Sequence, residues 1–109
     1  MSLVGKPVQL RRLASDDIEG ALEHYLATAG RDVAERFIDA VERCLKHVAR
    51  HPNSGSLRFA YELDLPDLRS YPIARFPYVV FYVEHDSRID VWRVLHTRRD
   101  IPAALVEGD

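Results

Sequence analysis

The sequence predicts an α+β fold: an N-terminal strand and a two-helix hairpin packed on an antiparallel three-to-four-stranded sheet. Three observations carry this. "VQLRRL", Val8 to Leu13, alternates apolar and polar residues as a half-buried strand does. Two stretches with apolar residues at three- and four-residue steps follow, separated only by the residues around Gly30. Then "LRSYPIA", "YVVFYV" and "RIDVWRVLH" supply three runs rich in β-branched and aromatic residues. At 109 residues the chain is expected to form a single domain, 1–109.

Each element has its own signals. In the first helix Ile18, Ala21, Leu22, Tyr25, Leu26 and Ala29 make one apolar face. Ser15 is the expected cap, with Asp16, Asp17 and Glu19 placed in the positive first turn. Gly30 is a suitable stop. The second helix runs from about Asp32 to Arg50, with a stripe of Val33, Ala34, Phe37, Val41, Cys44 or Leu45, and Val48. Asp39–Arg43 and Glu42–Lys46 can pair on its outer face. Pro52 ends it, and "HPNSGS" reads as a loop. So short a link between the helices folds them back as a hairpin, which must cover something.

That something is the sheet. "YVVFYV" and "RIDVWRVLH" are joined by the hairpin-length turn "EHDS". Both alternating side-chain sets of these strands are apolar, so periodicity does not assign them to faces. Tyr78, Tyr82 and Trp92 are candidates for the face away from the helices, and surplus aromatic surface on a small domain marks a partner site. The tail "AALVEGD" reads equally as a short helix or as irregular chain.

Composition narrows the function classes. Hydrophobic residues at 47% and charged residues at 29% describe an ordinary globular mix rather than a disordered or fibrous chain. No apolar run of about 18 residues exists, so no membrane span is expected. "MSLVGKPVQL" lacks the apolar core of a signal peptide, and one cysteine allows no internal disulfide. Both fit the reducing cytoplasm as the expected location. Net charge is −2, but it is polarised. Eight acids face two arginines from Ala14 to Glu42, whereas six arginines face three acids from Arg69 to Arg99.

Few motifs carry chemistry. His47 and His51 stand four apart in "HVARH", without the glutamate of a zinc-protease helix, and a helix C-terminus favours such cations in any case. No metal and no cofactor is expected. Cys44 lies on the apolar side of its helix, outside any "CxxC" context, and reads as core. The stretch "RVLHTRRD", Arg93 to Asp100, is the exception. Cleaving RNA through its own 2′-hydroxyl needs a base, an acid and fixed positive charge over the phosphate. His96 has the right ordinary pKa for acid or base, and Arg69, Arg75, Arg93, Arg98 and Arg99 could supply charge. The same residues could equally be the charged end of a strand, pairing with acids or holding a partner.

Taken in order, "AxxDI" (Ala14, Asp17, Ile18), "RFIDAVERCL", the "HPNSG" turn, "PDLRS" (Pro66 to Ser70), "RFPYVVFY" (Arg75 to Tyr82) and "RVLHTRRD" resemble the ParE/RelE superfamily of bacterial toxins from toxin–antitoxin operons. The resemblance runs from Val8 to about Asp100 and implies the fold reached above. It offers two activities. The RelE-like branch is similar to a ribosome-dependent mRNA endoribonuclease, and the ParE-like branch resembles an inhibitor of DNA gyrase without hydrolytic chemistry. RelE-like toxins typically place an arginine after the tyrosine opening the "YVVFY"-type strand; here Val79 stands there. They also carry lysines on the preceding strand, absent here, and a further RNase subgroup ends its last strand in His-Tyr, where this chain has His96-Thr97. The resemblance therefore favours a ParE-like toxin of a plasmid-stabilisation type module, with no catalytic residues and with Arg93, His96, Arg98 and Arg99 contacting the target. In the RNase alternative His96, Arg75 and Arg98 would form the site. Either reading implies a cognate ParD-like or RelB-like antitoxin, with which the chain would form a hetero-oligomer. Its C-terminal segment would cover apolar surface, for which Tyr71, Phe76, Tyr78 and Trp92 are the candidates. A decayed, non-toxic member kept for another interaction is the third possibility.

Overall fold

The structure is a computed structural model describing residues 5–106. The expectations for the first four residues and for the last three of the "AALVEGD" tail lie outside those. The chain runs β1 (Val8–Leu10), α1 (Arg12–Thr28), α2 (Arg31–Arg50), a 3₁₀ turn (Pro52–Ser54) and α3 (Arg58–Leu63). It continues through β2 (Arg69–Pro72), β3 (Tyr78–Glu84), β4 (Ile89–His96) and α4 (Ile101–Leu105). The α+β class and the helical hairpin on a sheet are as the sequence predicts. The short helix α3 is additional, and α4 takes up the helical option for the start of the "AALVEGD" tail, beginning two residues before it.

The four strands lie in the order β1-β4-β3-β2. β2, β3 and β4 form the antiparallel meander, while β1 adds to β4 in parallel, with Val8 opposite Ile89 and Leu10 opposite Val91. The sheet is therefore mixed. The helical hairpin makes this possible, because a parallel neighbour needs a long crossover and most of the chain lies between β1 and β4.

α1 starts earlier than Ser15 suggests. Arg11, still extended, donates its backbone N–H to Val91 O (2.9 Å) and its guanidinium to both oxygens of Asp90 (3.1 and 3.0 Å). Anchored so, the chain enters the helix at Arg12, and the Ser15 N–H already bonds Arg11 O (3.0 Å) as part of it. No side chain caps the helix, and its first turn holds no acid. At the other end Ala29 and Gly30 both donate to Tyr25 O, and Gly30 takes φ +91°, a conformation costly for any residue with a Cβ.

Two apolar layers sandwich the sheet. Toward the hairpin, Phe37, Val41, Cys44 and Val48 of α2 and Ala14 and Ala21 of α1 meet Val80, Tyr82, Ile89, Val91 and Val94. On the reverse face Phe81, Val83 and Leu95 are covered by Leu68, by Ala104 and Leu105 of α4, and by half-buried Phe59 and Leu63 of α3. Cys44 is buried, and that burial pushes its thiol up to about 11. A β-bulge explains why alternation in β4 is unreadable. Tyr82 pairs with Val91 and Phe81 with Arg93, so Trp92 is an extra residue and the inward set shifts from Ile89 and Val91 to Val94. Tyr82, expected away from the helices, is fully buried beneath them.

Candidate functional site

The stretch Arg93 to Asp100 divides into a buried and an exposed half. Arg93 is not a surface cation: it is 5% exposed, and its Nε and Nη2 bond the two oxygens of Asp17 at 2.7 and 2.8 Å. Its Nη1 donates to Ala104 O of α4 at 2.9 Å. The guanidinium thus ties α1, β4 and α4 together, and it offers no face to a target. Its expected place in target binding is withdrawn for that reason. At the far end Asp100 caps α4, its Oδ1 accepting the Ala103 N–H (3.2 Å). Between them His96 is half-buried, and Arg98 and Arg99 are exposed.

His96 closes β4 opposite Tyr78, whose ring it meets edge-on at 5.1 Å. The Arg98 N–H donates to His96 Nδ1 (3.0 Å). A backbone amide can only donate, so Nδ1 presents its lone pair and the neutral ring keeps its proton on Nε2. In that form the ring's other nitrogen, Nε2, is a hydrogen-bond donor. A shallow cleft of about 320 Å³ adjoins it, lined by Tyr78, His96 and Arg99 and by Asp16 and Asp17. Its charge is mixed, unlike a site built to balance a phosphate.

Arg75 stands elsewhere. It occupies the turn between β2 and β3, where Ile73 N–H bonds Tyr78 O (2.9 Å) and Phe76 N–H bonds Ile73 O (3.3 Å). Its φ of +70° is left-handed, a strained choice for an arginine. With Arg36 and Arg43 of α2 it rims a groove of about 490 Å³ floored by Val33, Ala40 and Phe76. His96 lines the cleft beside Asp16 and Asp17 instead, and Arg98 lines neither, so neither depression brings Arg75, His96 and Arg98 together. Arg36 was not singled out from the sequence, and Arg43 was read only as a partner for Asp39, a pair absent from the salt bridges of the described residues. The one signal the two arginines share in the sequence is a seven-residue spacing, which puts them on one side of a helix.

The four aromatic candidates do not form one surface. Tyr71, Phe76 and Tyr78 are half-buried against the hairpin layer, where Phe76 and Tyr78 pack around Tyr25 and Phe37 at centroid distances of 5.3 to 6.3 Å. Burial raises the phenol pKa of Tyr78, as does the neighbouring Tyr25. Tyr71 stacks on His47 (4.8 Å), which stacks on His51 (5.2 Å). Trp92 lies with the reverse-face layer, under the guanidinium of Arg11 at 4.5 Å. Among the described residues no three His, Cys, Asp or Glu side chains come together as metal ligands, and no helix is long and apolar enough to cross a membrane.

Against known proteins, the family model described as "ParE toxin of type II toxin-antitoxin system, parDE" matches residues 8–101. No curated protein matches the sequence. Among solved structures the chain is similar to one described as "Chromosomal ParDE TA system from P. aeruginosa". The TM-score is 0.69 at 19% identity, covering 84% of this chain and 95% of the other, which makes the likeness one of fold.

Proposed function

The chain belongs to the ParE toxin family of type II toxin–antitoxin systems, and from that premise we propose that it inhibits DNA gyrase by binding rather than by catalysis. The observation carrying this is the 3.0 Å bond from the Arg98 N–H to His96 Nδ1. It occupies the one lone pair of the neutral His96 ring, and the other potential base of the "RVLHTRRD" stretch, Asp100, is engaged in capping α4. The target would meet the half-buried His96 ring and the exposed Arg98 and Arg99 as a contact surface.

A cognate antitoxin, encoded beside the toxin in a plasmid-stabilisation type module, would hold it inactive in the cytoplasm. The resemblance to a solved ParDE system supports that partner class. Half-exposed Tyr71, Phe76 and Tyr78 share one side of the sheet and are proposed for antitoxin contact; Trp92, on the other side, would need a separate segment.

The test is a gyrase supercoiling assay with the purified chain, with and without the protein encoded beside it. Inhibition or accumulated cleaved DNA, relieved by the neighbour, is the expected result. No effect at excess folded toxin, together with cleavage of ribosome-bound mRNA, would transfer the assignment to a RelE-like endoribonuclease.

A further inference from the structure

The last turn of α2 and the residue that ends it carry two imidazoles side by side. His47 and His51 stand four residues apart, with ring centroids at 5.2 Å and planes inclined by 44°. Each is held from behind. The half-buried His47 ring stacks on Tyr71 of β2 at 4.8 Å and 37°. The exposed His51 is fixed through its backbone: its N–H donates to His47 O (2.8 Å), and its carbonyl accepts the Ser54 N–H (3.0 Å) and the Ser54 hydroxyl (2.7 Å). Two other histidines commit a ring nitrogen to a neighbour, His85 to Asp90 and His96 to the Arg98 N–H. Among the described residues nothing hydrogen-bonds a ring nitrogen of His47 or His51.

We propose that His47 and His51 together chelate a divalent transition-metal ion of the zinc, nickel and copper(II) class. Imidazole nitrogens bound to zinc lie about 2.0–2.1 Å from it, and two rings so bound at a tetrahedral angle put their centroids about 5 Å apart. The observed separation of 5.2 Å matches that arrangement. A four-residue spacing is the one by which a helix offers two imidazoles to zinc. The glutamate of the zinc-protease motif is that motif's general base and not a ligand. Its absence from "HVARH" therefore removes the hydrolytic chemistry and leaves the chelating pair. Imidazole nitrogen suits zinc, copper and nickel, whereas magnesium and calcium take oxygen ligands. Among the described residues no group of three His, Cys, Asp or Glu forms here, so water fills the remaining positions on the exposed side of His51. The carbonyl end of α2 favours a cation at this place as well. An unfolded chain does not hold the two rings together, so the ion would stabilise the folded chain by stapling α2 just ahead of Pro52. The site does not depend on the gyrase reading.

The test is a calorimetric titration of zinc into the full chain, free of any histidine tag, for wild type, His47→Phe, His51→Gln and His24→Ala. Phenylalanine keeps a ring against Tyr71 while removing the nitrogens, and glutamine replaces an exposed side chain, so both substitutions spare the fold. Circular dichroism melts check this. His24, on α1, is the control. We expect one zinc ion per chain in wild type and in His24→Ala, and binding weaker by about tenfold or more in each of the other two. The melting temperature should rise with added zinc only where the pair is intact. Copper(II) should broaden the Tyr71 ring signals in the NMR spectrum of wild type and spare them in His51→Gln. Zinc that binds all four proteins alike, zinc binding lost equally in His24→Ala, or a folded wild type that binds no zinc in excess would each overturn the site. Magnesium bound as tightly as zinc would overturn the class of ion.

Discussion

The guanidinium of Arg93 and the carboxylate of Asp17, at 6% and 9% side-chain exposure, face each other through two hydrogen bonds 76 residues apart in sequence. Asp17 also accepts the Val94 N–H at 3.0 Å, on the edge of β4 beyond the end of β1. One carboxylate thus terminates the parallel pairing and fixes α1 to the sheet. Breaking a buried pair from one side leaves an uncompensated charge. Asp17→Ala and Arg93→Ala are each expected to lower stability by about 3–5 kcal/mol, read as the urea midpoint. The double replacement by leucine and methionine should recover much of the loss. Additive losses in the double variant would show that the two groups act separately.

The "HPNSG" turn owes its form to a tyrosine on β3. Tyr82, fully buried, donates its hydroxyl to Pro52 O (2.8 Å) and accepts the Gly55 N–H (3.1 Å). A Cβ on Gly55 would come within 2.5 Å of that oxygen, so only glycine fits. Tyr82→Phe keeps the ring and orphans both backbone groups, and should cost about 1–3 kcal/mol. A chemical denaturation curve unchanged from wild type would mean that water replaces the hydroxyl.

At the other end of the sheet Asp90 gathers Arg11, the Trp92 indole N–H (3.2 Å) and His85 Nε2 (3.3 Å). Burial acts to raise its pKa, but the hydrogen bonds from Arg11 and His85, the Arg11 charge and the Trp92 bond outweigh it, and the net shift is downward from 3.8. A carboxyl depressed in the folded state adds stability above its unfolded pKa, and that stability is lost as pH falls through the folded value. The wild-type advantage over Asp90→Asn, from denaturation midpoints, should therefore hold at neutral pH and shrink between about pH 5 and pH 2. An advantage that grew on acidification would reverse the assigned sign.

What the sequence made legible follows its physics. Strict helical periodicity located α2, and β-branched runs located β3 and β4, because one element dictates each pattern. The bulge at Trp92 defeated alternation, since it depends on how Tyr82 pairs with Val91 across the sheet. Arg93 read as a surface cation because its partner lies in α1, and no local pattern announces so distant a pairing. Arg36 went unremarked and Arg43 read as a partner for Asp39, because the third arginine of their groove comes from a turn more than 30 residues on.

The proposed function makes its own demand on the end of β4. If His96, Arg98 and Arg99 contact a protein target, their contributions are spread over a surface, and truncating any one removes only its share. Each of His96→Ala, Arg98→Ala and Arg99→Ala is then expected to weaken gyrase inhibition by less than about tenfold, and the triple variant to abolish it. A catalytic unit behaves otherwise: loss of its base alone costs about as much as loss of the whole set, on the order of a thousandfold or more. The Arg98 N–H holds His96 Nδ1 through the backbone, so Arg98→Ala keeps that bond and changes charge alone. Dose–response curves for the four variants separate the two cases. A collapse of activity in His96→Ala, with Arg98→Ala and Arg99→Ala near wild type, would return this histidine to chemistry.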